Sequence, residues 1–390
     1  MPDLIAPSTV EELRDAVHEC GRQEATVELG GSFSKRSFGG PVAPADRRIE
    51  TARLNRVLAY EPADLTVSVE AGMAIAELNH ILARNNQFLP LDPPCFDSAT
   101  VGGVLASNSS GSRRRRYGTA RDMVIGMRFA TLDGKLVSSG GMVVKNVTGL
   151  DMGKLMIGSF GTLAAIASAN FKVFPKPESS ASFLFRCSSV EPLLAVRSAI
   201  LTGQLQPVAI DWLDPSVAQF LGLEAAHSLL VEATGSEAVT RRYRGAFEAL
   251  AASEGVDFEG IEADVWSRVR EGGPSWLSAH PAGALLRVST VLSRLGELLS
   301  VAGSVGCGAS LRAGNATGTV MATNAASARA ALSTLRRAGM LATLEAGPDA
   351  LKQEVEQWAP RAAELLLMQR IKADFDPLVV LNRGRLYGVL

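Results

Sequence analysis

Histidine and cysteine are scarce in this chain, which has four of each among its 390 residues. The cysteines form no C-x-x-C pair, so nothing in the sequence suggests an iron–sulfur cluster or structural zinc, and we expect isolated, reduced thiols. They are Cys20, Cys95, Cys187 and Cys307. No histidine shares a short segment with another or with a carboxylate pattern. We therefore expect structural histidines and no metal site; they are His18, His80, His227 and His280.

An excess of charge and a long apolar run are also missing. The 39 basic and 40 acidic residues give a net charge of −1, which offers no electrostatic reason to propose nucleic acid or an anionic membrane as a partner. The longest uncharged stretch, residues 155–171, has 17 residues and is too short and too polar to span a bilayer. The N-terminus lacks a signal-peptide pattern. We expect a cytoplasmic protein, with peripheral attachment to the inner membrane through partners as the open alternative.

The two common nucleotide-binding glycine motifs are absent as well. No G-x-G-x-x-G opens a helix after a strand, which argues against a Rossmann site, and no G-x-x-x-x-G-K-[ST] occurs. Glycine instead gathers with hydroxyl and amide side chains in two loops, residues 30–35 and 100–118. Glycine lets a backbone approach a ligand closely, and hydroxyls, N–H groups and cations suit phosphate oxygens. The two loops therefore predict a cradle that holds a diphosphate from both sides.

Hydrophobic periodicity divides the chain near residue 177. Before it, a helix capped by Thr9 and a helix over 75–85 alternate with strands, and Asp133-Gly134 predicts a hairpin turn; the strands are 25–29, 65–70, 123–130, 135–138 and 164–174. After it, helices at 193–201, 239–252 and 326–338 alternate with strands at 181–187, 285–291 and 317–323. The second part predicts an α+β domain with an antiparallel sheet and helices on one face.

The order of the motifs resembles the FAD-binding domain of the vanillyl-alcohol oxidase (PCMH-type) superfamily. The resemblance covers roughly residues 1–176 and rests on seven segments: 30–35 (GGSFSK), 69–72 (VEAG), 91–94 (LDPP), 99–103 (ATVGG), 117–126 (YGTARDMVIG), 145–151 (KNVTGLD) and 158–163 (GSFGTL). The tail segments 374–378 and 382–387 resemble the closing Asp-Pro…Asn-Pro-Gly tail of that superfamily. The fold this implies is α+β: a two-part FAD-binding domain over 1–177 (subdomains about 1–57 and 58–177), an α+β cap over 178–370 and a tail over 371–390 that packs back.

Within the superfamily, the chain resembles the small FAD-binding subunits of bacterial glycolate oxidases. The chain is short, residues 140–149 (GGMVVKNVTG) are similar to a motif of those subunits, and residues 286–289 (LRVS) are similar to a strand of their second domain. The resemblance implies FAD as cofactor. No histidine stands in the first loop, so we expect the FAD to be bound noncovalently.

The resemblance also implies which residues contact FAD. The first phosphate loop is Gly30, Gly31, Ser32, Phe33, Ser34 and Lys35, and the second is Thr100, Val101, Gly102, Gly103, Asn108, Ser110 and Gly111, preceded by Pro94. Tyr117 and Gly118 match the segment beside the isoalloxazine, and Gly161, Thr162 and Ile166 match a strand near the adenosine–ribityl region. Lys145 is left open between flavin contact and surface exposure.

Several positions depart from the superfamily pattern. Ser32 and Phe33 stand where glycine-like residues are usual, and because neither adopts a positive φ cheaply, we expect a differently shaped or weaker first loop. Arg383 replaces a proline, and Phe160 and Ala164 replace the Glu and Gly of larger catalytic relatives. A degenerate domain without flavin therefore stays open as an alternative.

Two sets of arginines have open roles. The run 113–116 is interpreted as a solvated loop, a diphosphate contact or a docking patch for a partner subunit. Arg287, on a predicted strand of the second domain, is a candidate to bind a substrate carboxylate, although a structural salt bridge is the commoner role of such a residue.

The sequence favours a subunit rather than a complete enzyme. Oxidation of a 2-hydroxy acid at FAD needs a general base and a cation for the carboxylate, and the larger relatives that do this carry a His-rich second domain. We therefore expect an FAD-binding subunit of a glycolate (2-hydroxy acid) oxidase complex, with a larger catalytic FAD subunit and an iron–sulfur subunit as partners. The alternatives are a stand-alone FAD-dependent dehydrogenase of a small hydroxy acid or alcohol and a flavin-free interaction subunit.

Overall fold

The structure is a computed structural model that describes residues 2–142 and 151–390. Residues 145–149 of the KNVTG motif, including Lys145, lie outside the described residues. Among the described residues no helix combines the length and apolarity needed to cross a membrane. The chain divides into two compact units: the first comprises Met1–Ser110, Gly118–Lys176 and Lys352–Leu390, and the second comprises Gly111–Tyr117 and Pro177–Leu351.

The strands are numbered in chain order. They are β1 Asp3–Ile5, β2 Val27–Gly30, β3 Arg47–Glu50, β4 Val57–Glu61, β5 Thr66–Glu70, β6 Gln87–Phe88, β7 Val124–Ala130, β8 Leu136–Gly140, β9 Ala165–Lys172, β10 Phe174–Pro175, β11 Ser179–Cys187, β12 Ala209–Leu213, β13 His227–Gly235, β14 Asp257–Ile261, β15 Ala284–Ser289, β16 Gly308–Arg312, β17 Thr317–Ala322 and β18 Leu341–Ala346.

The helices follow the same numbering, and two short 3₁₀ turns lie at Pro62–Asp64 and Leu292–Arg294. The helices are α1 Val10–Arg22, α2 Ile75–Ala83, α3 Val101–Ser107, α4 Arg114–Tyr117, α5 Ala120–Met123, α6 Gly153–Met156, α7 Val190–Thr202, α8 Pro215–Phe220, α9 Glu237–Glu254, α10 Val265–Ala279, α11 Leu295–Ser304, α12 Ala325–Arg337, α13 Asp349–Glu354 and α14 Ala362–Phe375.

The first unit is built on two main sheets. A parallel sheet has the order β1-β3-β2, and a five-stranded antiparallel sheet has the order β4-β5-β9-β7-β8. Strands β6 and β10 form a separate antiparallel pair. Helix α1 begins where expected, because the Thr9 hydroxyl accepts from the amide of Glu12 at 3.1 Å. Its apolar stripe, with Leu13 and Val17 fully buried, packs in one core with Ile49 of β3 and Leu381 of the tail. The predicted hairpin between β7 and β8 is confirmed.

The second unit is one eight-stranded sheet with helices packed on it. The strand order is β14-β11-β13-β12-β16-β17-β15-β18, and every pairing is antiparallel. Helices α7 and α9 pack on β11 and β13, and α12 packs on β15, β17 and β18. Trp212, Phe183, Phe185 and Phe247 are almost completely buried in this core. The prediction of an α+β cap with an antiparallel sheet is confirmed.

Candidate functional site

A cleft in the first unit brings together segments that are distant in the sequence. Of the predicted residues, it is lined by Gly30, Gly31, Ser32, Phe33, Ser34, Lys35, Thr100, Gly102, Gly103, Gly161 and Ile166. The end of β2, the turn before α3, α3 itself and the 158–163 segment therefore meet at one place. This is the two-loop arrangement that the glycine pattern predicts.

The first loop is tied to the segment that precedes the second loop. The hydroxyl of Ser32 donates to the carbonyl of Ser98 at 2.5 Å, and the thiol of Cys95 donates to the carbonyl of Ser34 at 3.5 Å. A Cβ on Gly31 would lie 2.0 Å from Oγ1 of Thr100, so only glycine fits between the two loops here.

The second loop begins as the N-terminus of α3. Thr100 is the N-cap, and its Oγ1 accepts from the amide of Gly103 at 3.3 Å. Asn108 ends the helix in the left-handed region, with φ of 48°. Its Oδ1 is buried and has no hydrogen-bond partner among the described residues.

The 158–163 segment closes on α3 through its backbone. Gly158, Phe160 and Gly161 all have positive φ, at 89°, 53° and 70°. The amide of Gly158 donates to the carbonyl of Leu105 at 3.0 Å, and the amide of Phe160 donates to the carbonyl of Ala106 at 2.8 Å. These bonds satisfy carbonyls near the C-terminal end of α3 and fix the segment against the second loop.

The charges of the cleft suit an anion. Glu28 is the one carboxylate among the described residues that line it, and cations at Lys35, Arg36 and Arg385 also line it. Burial would raise the pKa of Glu28, but hydrogen bonds from Arg36 and Arg48 outweigh that effect and lower the pKa below its ordinary value. The carboxylate is thus neutralised by two arginines, which leaves the lining without uncompensated negative charge.

Eight of the residues predicted to contact FAD are not among those that line this cleft. Pro94, Val101, Asn108, Ser110, Gly111, Thr162, Tyr117 and Gly118 do not line it. Val101 and Thr162 are buried in the protein interior. Gly111 and Tyr117 belong to the second unit, where burial raises the pKa of the Tyr117 phenol and its hydroxyl bonds to Thr234.

The arginine run also belongs to the second unit. Arg113 forms a two-pronged ion pair with Glu232 of β13, with Nη2 to Oε1 at 2.9 Å and Nε to Oε2 at 3.2 Å. Arg115 donates to the carbonyl of Gly314 at 3.1 Å and to the side chain of Gln206 at 3.2 Å. Both arginines therefore hold residues 111–117 on the eight-stranded sheet of that unit.

Arg287 also has a protein partner. It lies on β15, and its Nε donates to Oε1 of Glu345 on β18 at 3.0 Å. The structural ion pair that the sequence favoured for this residue is present. Among the described residues no group of three or more His, Cys, Asp or Glu side chains is arranged to hold a metal ion.

Sequence reasoning missed part of the lining. Glu28, Leu29, Arg36, Thr51, Ala106, Ser107, Phe160, Ala164, Asn382 and Arg385 also line the cleft. In the sequence, Phe160 and Ala164 stand out only as departures from a motif, and Asn382 and Arg385 only as part of a tail motif. The tail motif was the signal that could have found the last two.

Residues 3–140 match the family model described as "FAD binding domain". The chain is 29% identical to glycolate oxidase subunit GlcE of Escherichia coli over 97% of its own length and 98% of that subunit. It is 28% identical to glycolate oxidase subunit GlcD of Bacillus subtilis over 55% of this chain and 46% of that protein. It is 30% identical to the mitochondrial D-lactate dehydrogenase [cytochrome] of Arabidopsis thaliana over 77% of this chain and 55% of that protein.

Solved structures agree on the fold. A 4-ethylphenol oxidase from Gulosibacter chungangensis aligns with a TM-score of 0.77 at 14% identity, covering 99% of this chain and 89% of that one. A p-cresol methylhydroxylase aligns with a TM-score of 0.73 at 14% identity, covering 98% and 88%. At such identities the alignments show the fold alone. The chain has a PCMH-type FAD-binding domain followed by an α+β cap.

The match to the FAD-binding domain and the similarity to a glycolate oxidase subunit and a D-lactate dehydrogenase support an FAD-dependent oxidoreductase. The predictions of the family, of the fold class and of FAD as cofactor are confirmed. The chain spans nearly the whole length of GlcE but about half the length of GlcD and of the D-lactate dehydrogenase.

Proposed function

We propose that this chain is the FAD-binding subunit of a glycolate (2-hydroxy acid) oxidase complex. The observation that carries the proposal is the match to GlcE, which extends over 98% of that subunit and therefore includes the cap and the tail as well as the FAD-binding domain. The cleft supports it because glycines, hydroxyls and cations from two loops converge there.

We propose that the diphosphate of FAD is held noncovalently where the two loops face each other. Gly31 lets the first loop lie directly against Thr100, and Thr100 accepts from the amide of Gly103 and so holds the start of α3 in place. Lys35 supplies positive charge beside this position, whereas Arg36 is paired with Glu28. When bound, FAD supplies the hydride and electron chemistry that the protein side chains lack. The predicted contacts of residues that do not line the cleft stay predictions; these residues are Pro94, Val101, Asn108, Ser110, Gly111, Tyr117, Gly118 and Thr162.

The partners that fit this proposal are a larger catalytic FAD subunit and an iron–sulfur subunit, which would attach the assembly peripherally to the inner membrane. Co-purification from cells that express the tagged chain at its native level tests this part. Recovery of a second flavoprotein supports the complex. Recovery of the chain alone under mild, low-salt conditions counts against it.

A second candidate is a stand-alone FAD-dependent dehydrogenase of a small hydroxy acid or alcohol. The 30% identity to a D-lactate dehydrogenase favours it. Anaerobic mixing of the purified, FAD-loaded chain with glycolate or D-lactate distinguishes the two candidates. Bleaching of the flavin absorbance by either acid would identify an autonomous dehydrogenase, whereas the subunit proposal expects no bleaching without partners.

A flavin-free interaction subunit is the third possibility, and a titration of the apoprotein with FAD tests it. The proposed function expects saturable quenching of flavin fluorescence with a one-to-one stoichiometry. If the folded chain does not change the fluorescence of added FAD, both proposed functions that depend on flavin are contradicted.

A further inference from the structure

A buried ammonium lies behind the cleft. Lys372 of α14 is 4% exposed, and its Nζ donates to the carbonyl of Thr162 at 2.6 Å and to the carbonyl of Leu381 at 3.2 Å. It also donates to the carboxylate of Asp376, which is completely buried, at 2.5 Å. One side chain therefore joins the 158–163 segment to the C-terminal tail.

Asp376 extends this contact into the tail. Its Oδ1 accepts from the amide of Val380 at 3.0 Å, and its Oδ2 accepts from the amide of Leu381 at 2.8 Å. With Lys372 on the other side, the carboxylate is fully paired and fixes the turn that ends at Leu381. A buried charge is tolerated only with such pairing, so the geometry of this turn depends on both partners.

The next residue, Asn382, joins two walls of the cleft. Its Oδ1 accepts from the amide of Leu29 at 2.7 Å, and its Nδ2 donates to the carbonyl of Leu29 at 3.0 Å and to the carbonyl of Phe160 at 2.7 Å. Leu29, Phe160 and Asn382 all line the cleft. The side-chain amide is thus the link between the strand that leads into the first loop and the 158–163 segment.

We propose that Lys372, Asp376 and Asn382 form a positioning clasp that sets the spacing between the first loop and the 158–163 segment and thereby the affinity of the cleft for FAD. The proposal rests on the proposed function in that the cleft is the FAD site. The three residues act through backbone groups of Leu29, Phe160 and Thr162. Their side chains fix the backbone of the segments that line the site, so the C-terminal tail contributes to FAD binding.

The first test removes the positive charge of Lys372 in the full-length protein. Lys372→Met keeps an unbranched apolar side chain and deletes the ammonium, and Arg370→Met removes a cation in the same way at an exposed position of the same helix. We expect the Kd for FAD, measured by fluorescence titration of the apoprotein, to rise about tenfold in Lys372→Met, because the three buried hydrogen bonds of the ammonium are lost. Arg370→Met is expected to bind FAD like the wild type.

A second variant keeps the proposal testable if Lys372→Met does not fold. Asn382→Ala removes the bridging amide, and Asn86→Ala is its matched control, since Asn86 is exposed and has a similar left-handed backbone, with φ of 53° against 41°. The two substitutions carry the same backbone penalty, so a difference in FAD affinity reports the bridge. We expect about tenfold weaker binding in Asn382→Ala only.

Amide hydrogen exchange separates positioning from general stability. The Leu29 amide is protected by Oδ1 of Asn382, so its exchange should accelerate in Lys372→Met and Asn382→Ala, while amides within β9 keep their wild-type protection. Wild-type FAD affinity in both variants, or unchanged protection of Leu29, would overturn the clasp. If the wild type itself binds no FAD, the proposed function fails, and the exchange of Leu29 still decides whether the clasp holds that wall.

Discussion

The contact between Gly31 and Thr100 gives the sharpest prediction for the cleft. A Cβ on Gly31 would lie 2.0 Å from Oγ1 of Thr100 and 2.9 Å from its Cβ and Cγ2. Thr100 is 4% exposed and is the N-cap of α3, so it has little room to move. Gly31→Ala therefore forces either the first loop or the start of α3 out of position.

The cost follows from the two ways in which the structure can relax. Overpacking of a tight contact costs about 1–3 kcal/mol, and loss of an N-cap costs about 1 kcal/mol more if Thr100 rotates away from the Gly103 amide. We expect the free energy of unfolding of Gly31→Ala to fall by about 2–4 kcal/mol. FAD affinity should fall as well, because both loops line the cleft.

Urea unfolding and fluorescence titration with FAD measure the two effects. The matched control is Gly245→Ala in α9, where a Cβ would meet nothing within 4 Å. That change should stabilise the protein by about 0.5–1 kcal/mol, because alanine is the better helix former, and leave FAD binding unchanged. A Gly31→Ala protein with wild-type stability and wild-type FAD affinity would refute the reasoning about the two loops.

Three further predictions concern other buried groups. Arg113→Ala should lower the free energy of unfolding by about 2–3 kcal/mol by leaving a buried carboxylate without its partner, while Arg116→Ala, at an exposed position of the same run, should change it by less than about 0.5 kcal/mol in the same urea experiment. The pKa of Glu28 is lowered from its ordinary 4.5, so the ionised carboxylate stabilises the fold above that pH, and this stabilisation is lost as the pH falls through the lowered value. Glu28→Gln should remove this part of the acid dependence of the free energy of unfolding. An unchanged acid profile in the variant would contradict the prediction. Burial raises the pKa of the Cys307 thiol to about 11, so in the native protein at pH 8 it should resist a thiol reagent that reacts with the more exposed Cys187, and equal rates would be the contrary result.

The sequence was sufficient for the local architecture of the first unit. Thr9 caps α1, Asp133-Gly134 joins β7 to β8, and the predicted loop at 30–35 follows β2. Each of these features is decided by neighbours in the sequence: a cap, a turn dipeptide or an alternation of apolar residues. The order of the seven family motifs supplied the information that local patterns lack, because it indicated which loops meet at one site.

Residues 111–117 show where local patterns end. In the sequence they continue the second glycine loop, but in the structure they are part of the second unit. Their position is decided by Glu232 and Asp211, which lie 119 and 99 residues away from Arg113 and Ser112. No periodicity or spacing records such a pairing, because it exists only once the eight-stranded sheet has formed. The same holds for Asn382, which meets Leu29 across 353 residues.

The contacts of Phe33 explain why the first loop tolerates a residue other than glycine at a position of positive φ. The expectation was that it resists a positive φ, yet it adopts 54°, at a cost on the order of 1 kcal/mol. Its ring lies where a side chain on Gly30 would be, since a Cβ there would be 2.6 Å from the ring, and the guanidinium of Arg48 lies 5.0 Å from the ring centroid. Packing and the cation–π contact offset the backbone strain. The loop therefore has an aromatic residue with a positive φ at position 33, where a glycine-like residue is usual. The ring of this residue in turn requires glycine at position 30.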